Sequence, residues 1–431
     1  MALVNSFHPF SPYSLRKALA SGRKGPKLSS TPSFLALSSP FLCQPLPSTS
    51  SSPLGNSSAN KTSKCRRTPI SMSLQMEEAA ATDHSSAPPQ AESIEIPGVV
   101  EITIPPESLV GFEADYERVS KTWPADLSTT TDDAKIEQFV SSAHALVRRW
   151  LPQDLVCRLE NYMYDPAESA VLVIRGLPID KELPPTEPDL QIKKQGKHMS
   201  ETWLVGIARI MGQVFIPDYL RRTGMGMLVR ELYSTPDKVN YVGAEGSREL
   251  LDIHVDFGQV IPTKFAHIVL FFGIKGDPNK QGKTLLCDNR TLYRKLDPAD
   301  IEVLRSEKLT WETKMAQFSQ YIIEGPESNP RFFIFEENLT GVGGFDETVK
   351  ASPQAKAAYK RVKKAAALLA EGVYLEGGDV ILLNQKKACH GRSPYAPKFD
   401  GNDRWLQRIY VNSGFWEAGH TQWPCRSISL F

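Results

Sequence analysis

Three residues in ELLDIHVDFGQ, positions 249–259, have side chains that do chemistry: Asp252, His254 and Asp256. They alternate with Leu251, Ile253 and Val255, the period of a strand with one apolar face. Charged groups in a core are costly unless paired or bound to something. An imidazole and a carboxylate two positions apart can converge on one ion from a single strand, with a third ligand from elsewhere. The candidate is His390, in GGDVILLNQKKACHGRSPY, where a strand-like run breaks into a polar turn. Two imidazoles and one carboxylate on one face of an octahedral ion leave three adjacent positions open, an arrangement suited to Fe(II). The same spacing also fits an ordinary His–Asp hydrogen bond, and Asp252 is an alternative acid. A second cluster favours the metal. Arg404 and Arg408 stand four apart in DRWLQRIYV, hence on one strand face, and a guanidinium fork is the natural partner of a carboxylate. A dicarboxylate held by a metal at one end needs such a fork at the other.

The elements that must position these groups are mostly strands. AVLVIRGLP (170–178), HIVLFFGI, GDVILLN and RWLQRIYV read as strands, several of them continuously apolar. DDAKIEQFVSSAHALVRRWL (132–151) has helical spacing behind an acidic start. SPQAKAAYKRVKKAAALLAEG (352–372) predicts a helix capped by Ser352, opened by Pro353 and stopped by Gly372. Strands on long connections with helices between them suggest a β-sandwich or barrel with helical dressing. RELYSTPDKVNYVGAEGS (230–247), broken by Gly and Pro, reads as a lid.

Composition bounds the rest. Residues 1–76 hold nine Lys/Arg and no acid; the remainder has 41 basic against 49 acidic residues. That mildly acidic balance argues against general nucleic-acid binding. No apolar run approaches the roughly 20 residues that span a bilayer. The six cysteines are scattered, form no CxxC pair and read as reduced and unpaired. The Ser-rich, basic, acid-free N-terminus reads as a transit peptide over 1–72, directing the protein to the chloroplast stroma, with the mitochondrion as competitor. Residues 73–95 read as a disordered linker and 96–431 as the globular domain.

HVD, GKTLLCDNRTLYRKL, GDVILLN with HGR, and RWLQR, in that order, together resemble the clavaminate synthase-like branch of the Fe(II)/2-oxoglutarate-dependent oxygenases. That branch is related to taurine dioxygenase and includes arginine and asparagine β-hydroxylases. EGSRELLDIHVD is similar to their Gly-Ser-x-x-x-Leu-x-x-His-x-acid segment, and the resemblance runs from about Arg175 to Tyr410. It implies a mostly β fold with flanking helices, built on a double-stranded β-helix (jelly-roll) core. It implies iron held by His254, Asp256 and His390, since the family places the acid after the histidine rather than at Asp252. Arg404 would grip the distal carboxylate of 2-oxoglutarate and Thr284 would lend its hydroxyl. Arg408 and Ser247, in the GSRELL segment, would bind the substrate, and Asp379 would be conformational.

The resemblance further implies a reaction that consumes 2-oxoglutarate and O2 and releases succinate and CO2, with ascorbate as a supporting reductant. The substrate would be a small carboxylate-bearing metabolite, a free amino acid first, with hydroxylation the default outcome over desaturation. Asp256 departs from the Glu usual in amino-acid hydroxylases, and the FGQV after it leaves substrate identity open. Retention of the acid speaks against a halogenase. The competing class is a non-catalytic, oxygenase-like metabolite-binding or interaction module, which usually loses a metal ligand or the 2-oxoglutarate arginine. A metal-binding cupin would not need Arg404. Oligomeric state is not legible.

Overall fold

Continuously apolar runs become strands buried on both faces. A computed structural model of the chain describes residues 98–125, 127, 130, 132–186, 196–217, 228–240, 246–258, 265–312, 317–335, 348–412, 421–422 and 427–428. These belong to the unit Pro89–Phe431. The transit-peptide and linker readings, with three of the six cysteines, Cys43, Cys65 and Cys425, lie outside the described residues.

The strands begin with β1 (Val99–Thr103), β2 (Val171–Arg175), β3 (Gln213–Pro217), β4 (Arg230–Tyr233), β5 (Leu251–His254) and β6 (Ile268–Lys275). Next come β7 (Thr284–Asp288), β8 (Lys308–Glu312), β9 (Gln317–Tyr321), β10 (Ile323–Glu324), β11 (Arg331–Phe332) and β12 (Val349–Lys350). The last are β13 (Glu371–Val373), β14 (Val380–Asn384), β15 (Ala388–Arg392), β16 (Trp405–Asn412), β17 (Thr421–Gln422) and β18 (Ser427–Ile428). The larger sheet runs β1-β2-β14-β6-β16-β3-β18-β17, with β4 also on β16; the smaller runs β13-β7-β15-β5. The pairings are antiparallel except β1 with β2 and β18 with β3.

Alternation along the large sheet sorts its residues into two cores. Leu172 and Ile174, Leu270 and Phe272, Val380 and Leu382, Trp405 and Ile409 face a helical layer. Val171 and Val173, Val269 and Phe271, Ile381 and Leu383, Leu406 and Tyr410 share a core with Ile253, Leu286 and Cys389 of the small sheet. Both faces are covered, so the strands read as unbroken hydrophobic runs rather than alternating ones. The two facing sheets form the jelly-roll core.

Seven α-helices flank the sheets among the described residues. The helix Asp133–Trp150 starts where the Asp132 carboxylate accepts from Ala134 N and Lys135 N, at 3.1 and 3.3 Å. Its apolar stripe, Ile136, Phe139, Val140, Ala143 and Val147, packs on the helix Met199–Met211. Gly206 permits that approach, since a Cβ there would meet Val147 Cγ2 at 2.4 Å. The helix Pro353–Leu369 is capped by Ser352, whose Oγ accepts from Ala355 N at 3.1 Å. Gly372 does not stop it. The chain turns extended at Ala370, and Gly372 lies in β13, where a Cβ would crowd Lys283 Cδ, one residue before β7, at 2.9 Å. The lid reading is also corrected at its start, because Arg230–Tyr233 is strand β4, laddered onto Trp405–Arg408. Residues 241–245 of that stretch lie outside the described residues.

Candidate metal and cosubstrate site

The small sheet brings the two histidines together. His254 ends β5 and His390 sits at the centre of β15, and they are directly paired across the strands, ring centroids 4.5 Å apart. His390 is therefore on a strand, not in the polar turn expected, because β14 ends at Asn384 and a new strand begins at Ala388. Asp256 likewise lies beyond the end of β5, in the turn through Phe257 (φ 60°) and Gly258. A bare turn would hold a ligand loosely. Gln385 supplies the missing support: its Oε1 accepts from Asp256 N at 2.6 Å, and its amide donates to Ala266 O at 2.7 Å and Asp256 O at 3.3 Å.

His254, Asp256 and His390 offer ligand atoms all within 4.8 Å of one another, the one such cluster among the described residues. His254 Nε2 is 3.4 Å from Asp256 Oδ1, and His390 Nε2 is 3.8 Å from Asp256 Oδ2. These spacings are somewhat wider than the roughly 3 Å edge of an octahedron with bonds near 2 Å. His254 Nδ1 lies 2.7 Å from the Asp252 carbonyl, which can only accept, so Nδ1 carries a proton and Nε2 is the nitrogen that faces Asp256. Burial, then the charge of His254, pushes the His390 pKa down to about 3, which keeps the ring in its neutral, ligating form. His390 Nδ1 has no hydrogen-bond partner among the described residues. Burial alone would raise the Asp256 carboxyl, but the Arg408 charge beside it leads the causes that outweigh burial and hold it well below the usual carboxylate range. Two imidazoles and a carboxylate are a donor set that fits a divalent metal.

Asp252 is not in this cluster. Three steps on β5, from Leu251 to His254, oppose two on β15, from Arg392 to His390, and this irregularity breaks the alternation. The Asp252 carboxylate instead lies 3.4 Å from Lys363 Nζ on the helix Pro353–Leu369.

From the large sheet, Tyr410 donates its hydroxyl hydrogen to Asp256 Oδ2 at 3.1 Å, and Arg408 Nη1 lies 3.6 Å from the same oxygen. The Arg408 guanidinium also covers the Tyr410 ring at 4.8 Å. Arg404 stands one residue before β16, buried, with Nε donating to Gly282 O at 3.1 Å. A Cβ at Gly282 would press on Arg404 Cδ at 2.9 Å, so the glycine makes room for the arginine. Thr284 begins β7, buried, opposite Arg392 on β15. Ser247 is spent locally: its hydroxyl donates to Val239 O and accepts from Glu249 N. Asp379 bonds Arg175 at 2.7 Å and caps Glu376 N, leading into β14. Gln385 and Tyr410 carried no signal in spacing alone. Arg392 did, since HGR puts it two positions beyond His390.

Comparison with known proteins agrees with this geometry. Residues 167–410, more than half of the chain, match the taurine catabolism dioxygenase TauD, TfdA family. Clavaminate synthase 2 of Streptomyces clavuligerus is 26% identical over 284 residues, 65% of this chain and 85% of that protein. The L-lysine 3-hydroxylase of Catenulispora acidiphila is 24% identical over 300 residues, 67% of this chain and 79% of that protein. A solved asparagine oxygenase, in complex with Fe(II), 2S,3S-3-hydroxyasparagine and succinate, shares the fold at TM-score 0.64 and 17% identity, over 76% of this chain and 99% of that one. A jelly-roll core with a His-Asp-His cluster between its sheets, and a sequence match across that whole core, make this chain a member of the TauD/TfdA dioxygenase family.

Proposed function

We propose that this dioxygenase holds Fe(II) through His254, Asp256 and His390, takes 2-oxoglutarate as cosubstrate, and hydroxylates a small carboxylate-bearing metabolite, a free amino acid first among them. The observation that carries the reading is the convergence of three ligand atoms from two elements of the family-matched core. Iron held there would supply, with O2, the oxidising power, and the 2-oxoglutarate consumed would leave as succinate and CO2. The chain's own residues do the positioning. Gln385 and Tyr410 fix Asp256, while Arg404, with Thr284, receives the distal carboxylate of the cosubstrate. Arg408 sits beside the ligand cluster with a fork that a substrate carboxylate fits, and the amino-acid names of the relatives support that class of substrate. The acid-free, Ser-rich residues 1–72 support import into the chloroplast stroma, to be tested against the mitochondrion with a fluorescent fusion.

The test is succinate formation followed by NMR. The protein is incubated with Fe(II), ascorbate, 2-oxoglutarate and air, with and without a panel of amino acids and other carboxylic acids. Succinate that rises with one compound and vanishes in His254→Ala and Arg404→Ala is the expected result. Succinate formed without regard to any compound would leave the amino-acid class unsupported. No succinate with metal demonstrably bound would favour a metabolite-binding module instead.

A further inference from the structure

The cosubstrate assignment above uses one arginine, but the fold buries a second beside it. Arg392 follows His390 by two positions on β15 and, like Arg404, is almost wholly buried, at 4% and 6% exposure. Ser393 N donates to Lys283 O, so the next rung inward, Arg392 with Thr284, is of the non-hydrogen-bonded kind, in which Cα atoms are about 4.5 Å apart and side chains adjoin. The neighbouring rung on that face is His390 with Leu286. Two residues of strand separate the rungs, roughly 6.6 Å. A keto acid anchored at the metal, whose four C–C bonds of about 1.5 Å reach roughly 5 Å, would bring its far carboxylate to the Thr284 rung.

The two guanidinium groups share one ring. Arg392 lies 4.9 Å and Arg404 5.8 Å from the centroid of Tyr395. Arg392 Nη2 donates to Glu249 O at 2.7 Å, Nη1 to Ser393 O at 3.4 Å, and Nε has no hydrogen-bond partner. Arg404 donates from Nε to Gly282 O. Neither forms an ion pair with a carboxylate among the described residues. Two buried like charges packed on the one Tyr395 side chain, their printed hydrogen bonds going to backbone carbonyls, are expensive to keep. An anion between them would relieve both.

We propose that Arg392 is a second cosubstrate-binding cation, closing with Arg404 and Thr284 on the distal carboxylate of 2-oxoglutarate. The clamp is then selective for a dicarboxylate keto acid over one that ends in a methyl group. This proposal rests on the cosubstrate reading, and its test separates the two. The full chain, loaded with Mn(II), is titrated calorimetrically with 2-oxoglutarate and with 2-oxovalerate, the same keto acid with a methyl group in place of the far carboxylate. A lost charge-assisted contact corresponds to about ten- to a hundredfold. Arg392→Met should weaken 2-oxoglutarate by that factor and leave 2-oxovalerate unchanged. Arg392→Lys, which keeps the charge without the fork, should lose part of the preference; it decides the matter if the methionine variant does not fold. Equal weakening of both keto acids would mean that Arg392 only anchors the Glu249 carbonyl, and would overturn the proposal, as would unaltered binding of both. Wild-type protein that binds neither keto acid would overturn the cosubstrate reading itself.

Discussion

Replacing Gln385 by Leu tests whether the acidic ligand is placed by its own strand or by a neighbour. The substitution keeps side-chain volume near constant and deletes an amide that is 1% exposed. It leaves Asp256 N and Ala266 O, bonded at 2.6 and 2.7 Å in the native chain, without their partner. A buried polar group stripped of its partner costs about 1–3 kcal/mol, so two of them cost about 2–6 kcal/mol. The longer contact to Asp256 O, at 3.3 Å, adds little. Against a total stability of about 5–15 kcal/mol, such a loss is large but leaves room for a folded protein. Asp256 would remain in the sequence yet lose its backbone bracket, and supporting contacts of this kind change metal affinity by about 10–100-fold. Urea unfolding of the metal-free protein reads the first effect, and loss of the free Mn(II) resonance signal on titration reads the second. A variant that unfolds earlier but binds Mn(II) as tightly as wild type would show that the turn positions Asp256 without help. A variant destabilised by less than about 1 kcal/mol would refute the hydrogen-bond argument altogether.

Three further outcomes are expected. Gly206→Ala gains about 1 kcal/mol of helix propensity, yet its Cβ would meet Val147 Cγ2 at 2.4 Å and Ala143 O at 2.8 Å. Overpacking should win, so the melting temperature falls, and a rise would contradict the close helix contact. Glu168 has its carboxyl lowered to about 2: burial acts to raise it, but hydrogen bonds from Arg158 and Ser169 prevail. Its contribution is therefore whole above the ordinary 4.5 and fades as pH falls toward 2, with an upper bound of about 3 kcal/mol. Glu168→Gln should accordingly lie well below wild type in urea midpoint at pH 7 and converge with it near pH 2.5; a constant gap would sink this account. Burial pushes the Cys287 thiol up to about 12 and raises Cys389 as well, whereas Cys157 is exposed. Iodoacetamide at pH 8 should label Cys157 and spare the other two until the protein is unfolded, as peptide mass mapping would reveal.

Much of the site was legible because β-structure has a fixed period. HVD, His390 and the Arg404–Arg408 spacing marked candidate ligands and carboxylate forks by residue type, and the apolar runs of β2, β6, β14 and β16 announced a sheet covered on both faces. The cap at Ser352 and the start at Asp132 were likewise local, since each depends on residues within three positions. What period alone could not supply was register. A single extra residue between Leu251 and His254 turns Asp252 toward Lys363 and ends β5 before Asp256. Gln385 and Tyr410 reach Asp256 across 129 and 154 positions of chain, a distance over which no local pattern carries information. The pairing of Arg392 with Thr284 is of the same kind. Residue types set the chemistry available to this protein, because donor atoms and charges belong to side chains. Only the strand pairing decided which of them meet, because that depends on hydrogen-bond register between segments far apart in the chain.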